Sequence, residues 1–357
     1  MIKGRADLMA VPGDSLDFLG AVATLPEQLT AAHEAAAEID LSVLPSADQV
    51  RNIVLLGMGG SGIAGDVLAA VANGSLPVPV TVLKQYRTPA FVGPHSLVFA
   101  LSYSGTTEET ISMATGALHA GAHVVAVGCD GALATQVTAG GGLHVPCPEG
   151  YMPRAALGAL VAPLFVTLFR KGLLPEAHAL LVGAQQQLGK RRDASLPTVE
   201  GARNPARELA RRIGRTIPLI HGGGALGAVA AMRWKADVNE NAKAPAFWNT
   251  HPELDHNEIC GWGQHGDVTR QLLTLVELRH GFEHERLTPR FDATRAQLEE
   301  CVVQVLEVRA EGENRLAQLL DLMYLGDWVS CYLALENDVD PGPIPAIAAL
   351  KDHLARS

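Results

Sequence analysis

The chain has 357 residues, 48% of them hydrophobic, with 28 Lys and Arg against 38 Asp and Glu and a formal net charge of −10. That length and apolar content suit two domains with a core each, and the acidic balance argues against a general nucleic-acid or anionic-membrane binder while allowing a local pocket for a small anion. The cysteines Cys129, Cys147, Cys260, Cys301 and Cys331 are widely spaced and form no C-x-x-C, a pattern of reduced cytosolic thiols that argues against a disulfide scaffold or zinc cluster.

The opening "MIKGRADLMAVPGDSLDF" has no continuous apolar stretch, so no signal peptide is expected, and no later apolar run reaches membrane-spanning length. A cytoplasmic protein without a membrane partner is the expectation. Residues 14 to 39 read as one helix opening at Asp14 or Ser15, with Leu16, Phe18, Leu19, Val22 and Leu25 on its stripe. Alternation follows. "NIVLLGM" (52–58), "VPVTVLK" (78–84), "SLVFALS" (96–102), "AHVVAVGC" (122–129) and "GLHVPC" read as strands, with helical stretches such as "SGIAGDVLAAVAN" and "TEETISMATGALHAG" between them. Continuous apolar strands separated by helices predict a parallel sheet covered on both faces.

Residues 153 to 215 read as mostly helical, with the polar stretch "GKRRDASLPTVEGARN" as a candidate connection. The plan then restarts: "TIPLIHGGGALGAVAAMRW" repeats "NIVLLGMGGSGIAGDVLAA", strand, glycine turn and small-residue helix in turn. "QLLTLVELR" (271–279) and "VVQVLEVRA" (302–310) read as later strands, and two helical stretches close the chain. The expected fold is α/β, two doubly wound parallel sheets of the flavodoxin-like three-layer kind with flanking N- and C-terminal helices. The expected boundaries are 1–175 for the first domain, 176–205 for the connection and 206–357 for the second. The second glycine turn is read as having Ala225 where the first has Ser61, so only the first is expected to hold a ligand.

Gly57, Gly59 and Gly62 satisfy the G-x-G-x-x-G spacing of a dinucleotide site. A nicotinamide cofactor also needs an acid at the end of the second strand, where this chain offers Lys84. The turn is better read as a holder of some other phosphate, with no nucleotide cofactor. "LSYSGTTEET" then puts Ser102, Ser104, Thr106 and Thr107 at a strand's C-terminal end before a new helix. Hydroxyls beside fresh helix N–H groups make a neutral cradle for a phosphate dianion. Plain N-capping by Ser104 or Thr106 is the alternative.

"GMGGSG" followed by "SYSGTTEET" resembles the sugar isomerase (SIS) domain. "MPRAALG" (152–158), "NENAKAPAFWNTHPELDHNEICGW" (239–262) and "LKDHL" (350–354) extend the resemblance over nearly the whole chain, to the bifunctional phosphoglucose/phosphomannose isomerase family. Gly62, Ala64 and Thr106 depart slightly from the family pattern. The resemblance implies a metal-independent aldose–ketose isomerase that interconverts glucose 6-phosphate or mannose 6-phosphate with fructose 6-phosphate through a cis-enediol. It implies sugar contacts at Gly59, Gly60 and Ser61 and phosphate contacts at Ser102, Ser104 and Thr107. Glu240 matches the proton carrier of "NENAK" and His256 the ring-opening histidine, which family members supply from the second subunit of a homodimer. Lys351 matches the lysine that assists ring opening, and Arg154 is a candidate for stabilising enediolate charge.

On spacing alone, Glu240 also reads as a surface acid paired with Lys243 or Arg233, Lys351 as part of a solvated helix face, and Arg154 as a salt-bridge partner. Phe247, Trp248 and Trp262 fit an interface or a core. His251, His256, Glu253, Glu258 and His265 cluster without a recognised metal-ligand spacing. Two other functions stay in view: a non-catalytic phosphosugar-binding regulator, against which no basic helix-turn-helix is evident, and an isomerase of another sugar phosphate.

Overall fold

A computed structural model describes residues 11–72, 74–354 and 356. These fall into two compact units, one of Thr24–Leu188 with Gly312–Ala317, the other of Gly189–Glu311 with the described parts of residues 5–23 and 318–357.

In the first unit β1 (Asn52–Gly57), β2 (Val80–Leu83), β3 (Ser96–Leu101), β4 (His123–Gly128) and β5 (Leu143–Pro146) form one sheet in the order β2-β1-β3-β4-β5. Every pairing is parallel, and the order is the flavodoxin-like one, which reverses at β1/β3. β3 is buried along its whole length, which is why its apolar run is unbroken in sequence. Helices Glu108–His119 and Ala132–Ala139 cover one face, bringing Met113, Ala117 and Val137 onto Val54, Val98 and Val124. Helix Gly59–Ala72 covers the other so closely that a Cβ added to Gly65 would lie 3.0 Å from that of Leu55. Helix Leu157–Arg170 packs on it and on helix Leu25–Ala37.

The second unit repeats the plan. β6 (Ile217–Gly223), β7 (Phe247–His251), β8 (Leu273–Arg279) and β9 (Gln304–Arg309) are parallel in the order β7-β6-β8-β9. Helix Leu287–Leu298 sets Leu298 on Leu219 and Leu275. Helix Gly224–Asn241 is fastened to helix Arg315–Glu336, where Trp234 Nε1 donates to Leu322 O at 2.7 Å and Asn241 Nδ2 to Ser330 Oγ at 2.9 Å.

Two local readings change. Residues 14 to 39 form two helices, Phe18–Ala23 and Leu25–Ala37, rather than one. Pro26 has no N–H to bond back into a preceding turn, and it sits in the first turn of the new helix, where none is needed. The first helix opens at Phe18 rather than at Asp14 or Ser15, although the Asp14 carboxylate accepts from Phe18 N and Leu19 N at 2.8 Å each. The polar stretch from 189 begins as the end of helix Ala177–Ser195, within the span read as mostly helical. There Arg191 is buried and donates to both carboxylate oxygens of Asp321, at 2.7 and 2.8 Å. β7 is a strand that hydrophobic periodicity did not indicate. No helix among the described residues is long and apolar enough to cross a membrane, and none of the five cysteines is in a disulfide.

Candidate active site

β1 runs into helix Gly59–Ala72 through a turn that depends on its glycines. A Cβ on Gly62 would stand 2.6 Å from Gly57 O, so strand end and helix start touch backbone to backbone. Gly59 has φ +49 with nothing within 4 Å of its Cβ position, which leaves the backbone there open on its outer side. Ser61 is buried, and its Oγ accepts from Tyr103 N at 3.0 Å.

The neighbouring strand β3 delivers the hydroxyls. Ser102 Oγ is 2.8 Å from Thr107 Oγ1 and 3.4 Å from Ser104 Oγ, which in turn accepts from Thr106 Oγ1 at 3.2 Å. Ser102 is buried, while Ser104 and Thr106 face solvent. Helix Glu108–His119 takes Thr107 as its N-cap, yet no side-chain cap bond is made there. Hydroxyl capping therefore does not account for the group. The cluster faces a helix start with uncapped N–H groups at the C-terminal edge of a parallel sheet, where open α/β sheets bind ligands. The loop is held tightly: a Cβ on Gly128 would lie 1.8 Å from Ser102 O, and one on Gly105, at φ +67, 2.8 Å from Cys129 O.

Tyr103 escaped the reading of the sequence. Between Ser102 and Ser104, it bonds Ser61 through its N–H, and its hydroxyl donates to Pro148 O and accepts from Tyr151 N, both at 2.8 Å. Burial raises its phenol far above the ordinary range. It thus ties glycine turn and hydroxyl loop to the segment that leads to Arg154. Its only signal was an aromatic between two cradle serines. Arg154 is 8% exposed and lies in a 3-10 turn, Pro153–Ala155, that packs on helix Gly59–Ala72. The α-helix begins later, at Leu157, and Ala155 O accepts from Gln28 Nε2 at 2.6 Å. Lys84, just past β2, donates to Asp66.

The second turn corrects one alignment. A Cβ on Gly222 would be 2.0 Å from Gly227 O, and Gly224 has φ +59. Gly222, Gly224 and Gly227 therefore stand where Gly57, Gly59 and Gly62 stand in the first turn, and the counterpart of Ser61 is Leu226, not Ala225. Leu226 is buried and carries no hydroxyl.

Glu240 is half-buried on the last turn of helix Gly224–Asn241. Below it on the same helix, Arg233 donates to Asp327 Oδ1 at 3.0 and 2.9 Å and lies 2.8 Å from Asp237 Oδ2. Burial drives the Asp237 carboxyl well above the carboxylate range, with Arg233 opposing and the charges of Asp327 and Glu240 adding to the rise. Lys243 Nζ reaches three carbonyl oxygens, those of Asn241, Asp340 and Pro341, at 3.1, 2.7 and 3.1 Å. His256 is exposed at the end of the 3-10 turn Glu253–His256. Lys351 is exposed on helix Pro345–Leu354, none of whose residues is buried. Phe247 and Trp248 are 57% and 37% exposed on the edge strand β7, so neither is a core residue within the chain. Among the described residues no group of three or more His, Cys, Asp or Glu is arranged to hold a metal ion.

The chain is similar to known proteins over most of its length. The bacterial phospho-glucose isomerase C-terminal SIS domain matches residues 202–354. The chain is 35% identical over 334 residues to a bifunctional phosphoglucose/phosphomannose isomerase of Caldicellulosiruptor bescii, covering 94% of this chain and 98% of that one. It is 33% identical to a protein of the same name from Aquifex aeolicus, covering 86% and 91%. Among solved structures, the C-terminal domain of glucosamine-fructose-6-phosphate aminotransferase from Francisella tularensis superposes with a TM-score of 0.66 at 17% identity, over 94% of this chain and all of that one. That likeness is one of fold.

Proposed function

The chain belongs to the bifunctional phosphoglucose/phosphomannose isomerase family and is an isomerase, and from that premise we propose how its residues divide the work. Ser102, Ser104 and Thr107 take the phosphate of a hexose 6-phosphate, helped by the helix N-terminus behind them. Gly59, Gly60 and Ser61 contact the sugar. His256, contributed by the partner subunit of a homodimer, moves a proton between the anomeric hydroxyl and the ring oxygen, with Lys351 at the ring oxygen. The Glu240 carboxylate then removes the C2 proton of the open aldose, leaving a cis-enediolate whose charge Arg154 offsets. Returning that proton to C1, with the hydroxyl proton passing from O2 to O1, gives the ketose, so that nothing is oxidised overall and no cofactor or metal takes part. Glucose 6-phosphate and mannose 6-phosphate both give fructose 6-phosphate by this route, and the enzyme works in the cytoplasm without nucleic-acid or membrane partners.

One observation carries this reading: four hydroxyls meet at the end of β3 beside a helix start they do not cap. Glu240→Gln is the test. Turnover is expected to fall by about three orders of magnitude, the scale of general-base catalysis, while fructose 6-phosphate still raises the melting temperature. Turnover close to wild type would remove Glu240 from the role of base. A wild-type protein that binds the sugar phosphate but exchanges no C2 hydrogen with solvent would favour the regulator reading instead.

A further inference from the structure

His256 is exposed, yet residues on both sides of it are anchored in the interior of the second unit. Asp255 accepts from His251 Nδ1 at 2.9 Å, Arg290 Nη1 at 2.9 Å and Thr294 Oγ1 at 3.1 Å. Glu258 accepts from His221 Nε2 and Asn249 Nδ2, each at 2.8 Å. His221 on β6 and His251 on β7 are both 0% exposed and meet edge to face, ring centroids 5.8 Å apart. Two imidazole–carboxylate pairs built on one edge-to-face pair of histidines thus fasten the segment that carries His256 to adjacent strand ends.

The fold does not ask for these imidazoles. With Gly222 standing where Gly57 stands, His221 occupies the place of Leu56, an ordinary core leucine of the first sheet. Each histidine also buries its second ring nitrogen without a hydrogen-bond partner among the described residues, so the bond to the carboxylate sets its tautomer. A buried imidazole that gives its N–H to a carboxylate outside the core is poor packing and good orientation.

We propose that His221 and His251 are positioning residues, which act through Glu258 and Asp255 to hold His256 in the orientation that transfers a proton at the sugar ring. The inference rests on His256 being the ring-opening group. A misplacement of about 1 Å costs a reaction on the order of a hundredfold, and an exposed side chain on a short 3-10 turn has little else to hold it.

The test uses the full chain with glucose 6-phosphate, whose ring must open, and checks folding by melting. His221→Leu is expected to lower kcat on the order of tenfold with KM changed by less than about twofold. His221→Gln, whose amide N–H replaces Nε2–H, should recover most of that loss. The double variant His221→Leu/His256→Asn should be no slower than His256→Asn alone, because a residue that acts through another has nothing left to orient. If the leucine variant misfolds, Glu258→Ala, at a half-exposed position, breaks the same latch and should give the same loss. Unchanged kcat in the folded variant, a glutamine variant no better than leucine, or losses that multiply in the double variant would each overturn the inference. His256→Asn turning over at the wild-type rate would overturn the reading of His256 itself, and the inference with it.

Discussion

His251 is completely buried, and burial is the main cause that lowers its imidazole to about 4. The charges of His221 and Arg279 push the same way, and the Asp255 carboxylate opposes them. Above pH 6.5 the group is neutral in both native and unfolded chain and contributes no pH dependence. Between 6.5 and about 4 the unfolded chain binds a proton that the native state does not, so stability falls as pH falls. The loss sums to on the order of 3 kcal/mol across that window. His251→Asn, which keeps an N–H toward Asp255 and has nothing to titrate, should lose less stability than wild type when urea unfolding at pH 7.5 is compared with pH 5. Equal losses would show that His251 is not the sensor. Single residues were the scale at which the sequence spoke most unevenly. Ser102, Ser104 and Thr107 could be marked from position alone, because hydroxyls at a strand's end have few structural reasons to cluster. Glu240, His256 and Lys351 could not, since a half-buried acid, an exposed histidine and an exposed lysine on a helix are each ordinary; only the surrounding motif drew attention to them.

The short elements carry the differences between pattern and structure. β7 reads FWNTH, with two exposed aromatics followed by polar residues, so no period of two appears. What makes it a strand is its parallel register with β6, Gly223 against His251, a long-range pairing that no local window contains. The run "GKRRDAS", inside the span read as mostly helical, is polar and yet part of a packed helix, because a buried ion pair joins Arg191 to Asp321. Helix Glu108–His119 offers a test at this scale. Its first turn carries Glu108 and Glu109, Glu108 exposed, which suits the helix dipole by about 0.3–1 kcal/mol but repels a bound dianion by about 1 kcal/mol across water. Glu108→Gln should therefore lower KM for fructose 6-phosphate, by up to about fivefold in dilute buffer, while slightly lowering stability. The gain should fade toward 1 M salt, where the Debye length falls to about 3 Å. A KM insensitive to the substitution at low salt would place the phosphate elsewhere.

The two units share a strand order and a glycine turn, and that repeat was visible in the sequence because the turns need the same glycines. The faces below the turns diverge in a way that only the register makes plain. In the first sheet Leu83, Leu56, Ala100 and Ala126 lie in one row across β2, β1, β3 and β4 and pack as core. The matching row of the second sheet is Asn249, His221, Glu277 and Glu307, and it is polar throughout. Arg295 bonds both glutamates, and Glu258 bonds both Asn249 and His221. That row is already occupied by its own partners, its carboxylates would repel an anion, and Leu226 takes the place of the turn serine. A phosphate has no second home there, although the helix after β6 begins as the helix after β1 does. One phosphate per chain is the expected stoichiometry, measured by calorimetric titration with fructose 6-phosphate at fixed ionic strength. Replacing Ser104 with Ala and Thr107 with Val should abolish that single binding event and leave no residual isotherm. Two equivalents in the wild type would mean that the second unit binds phosphate as well, and one equivalent that survives the double replacement would mean that the glycine turn and helix N-terminus suffice without the hydroxyls.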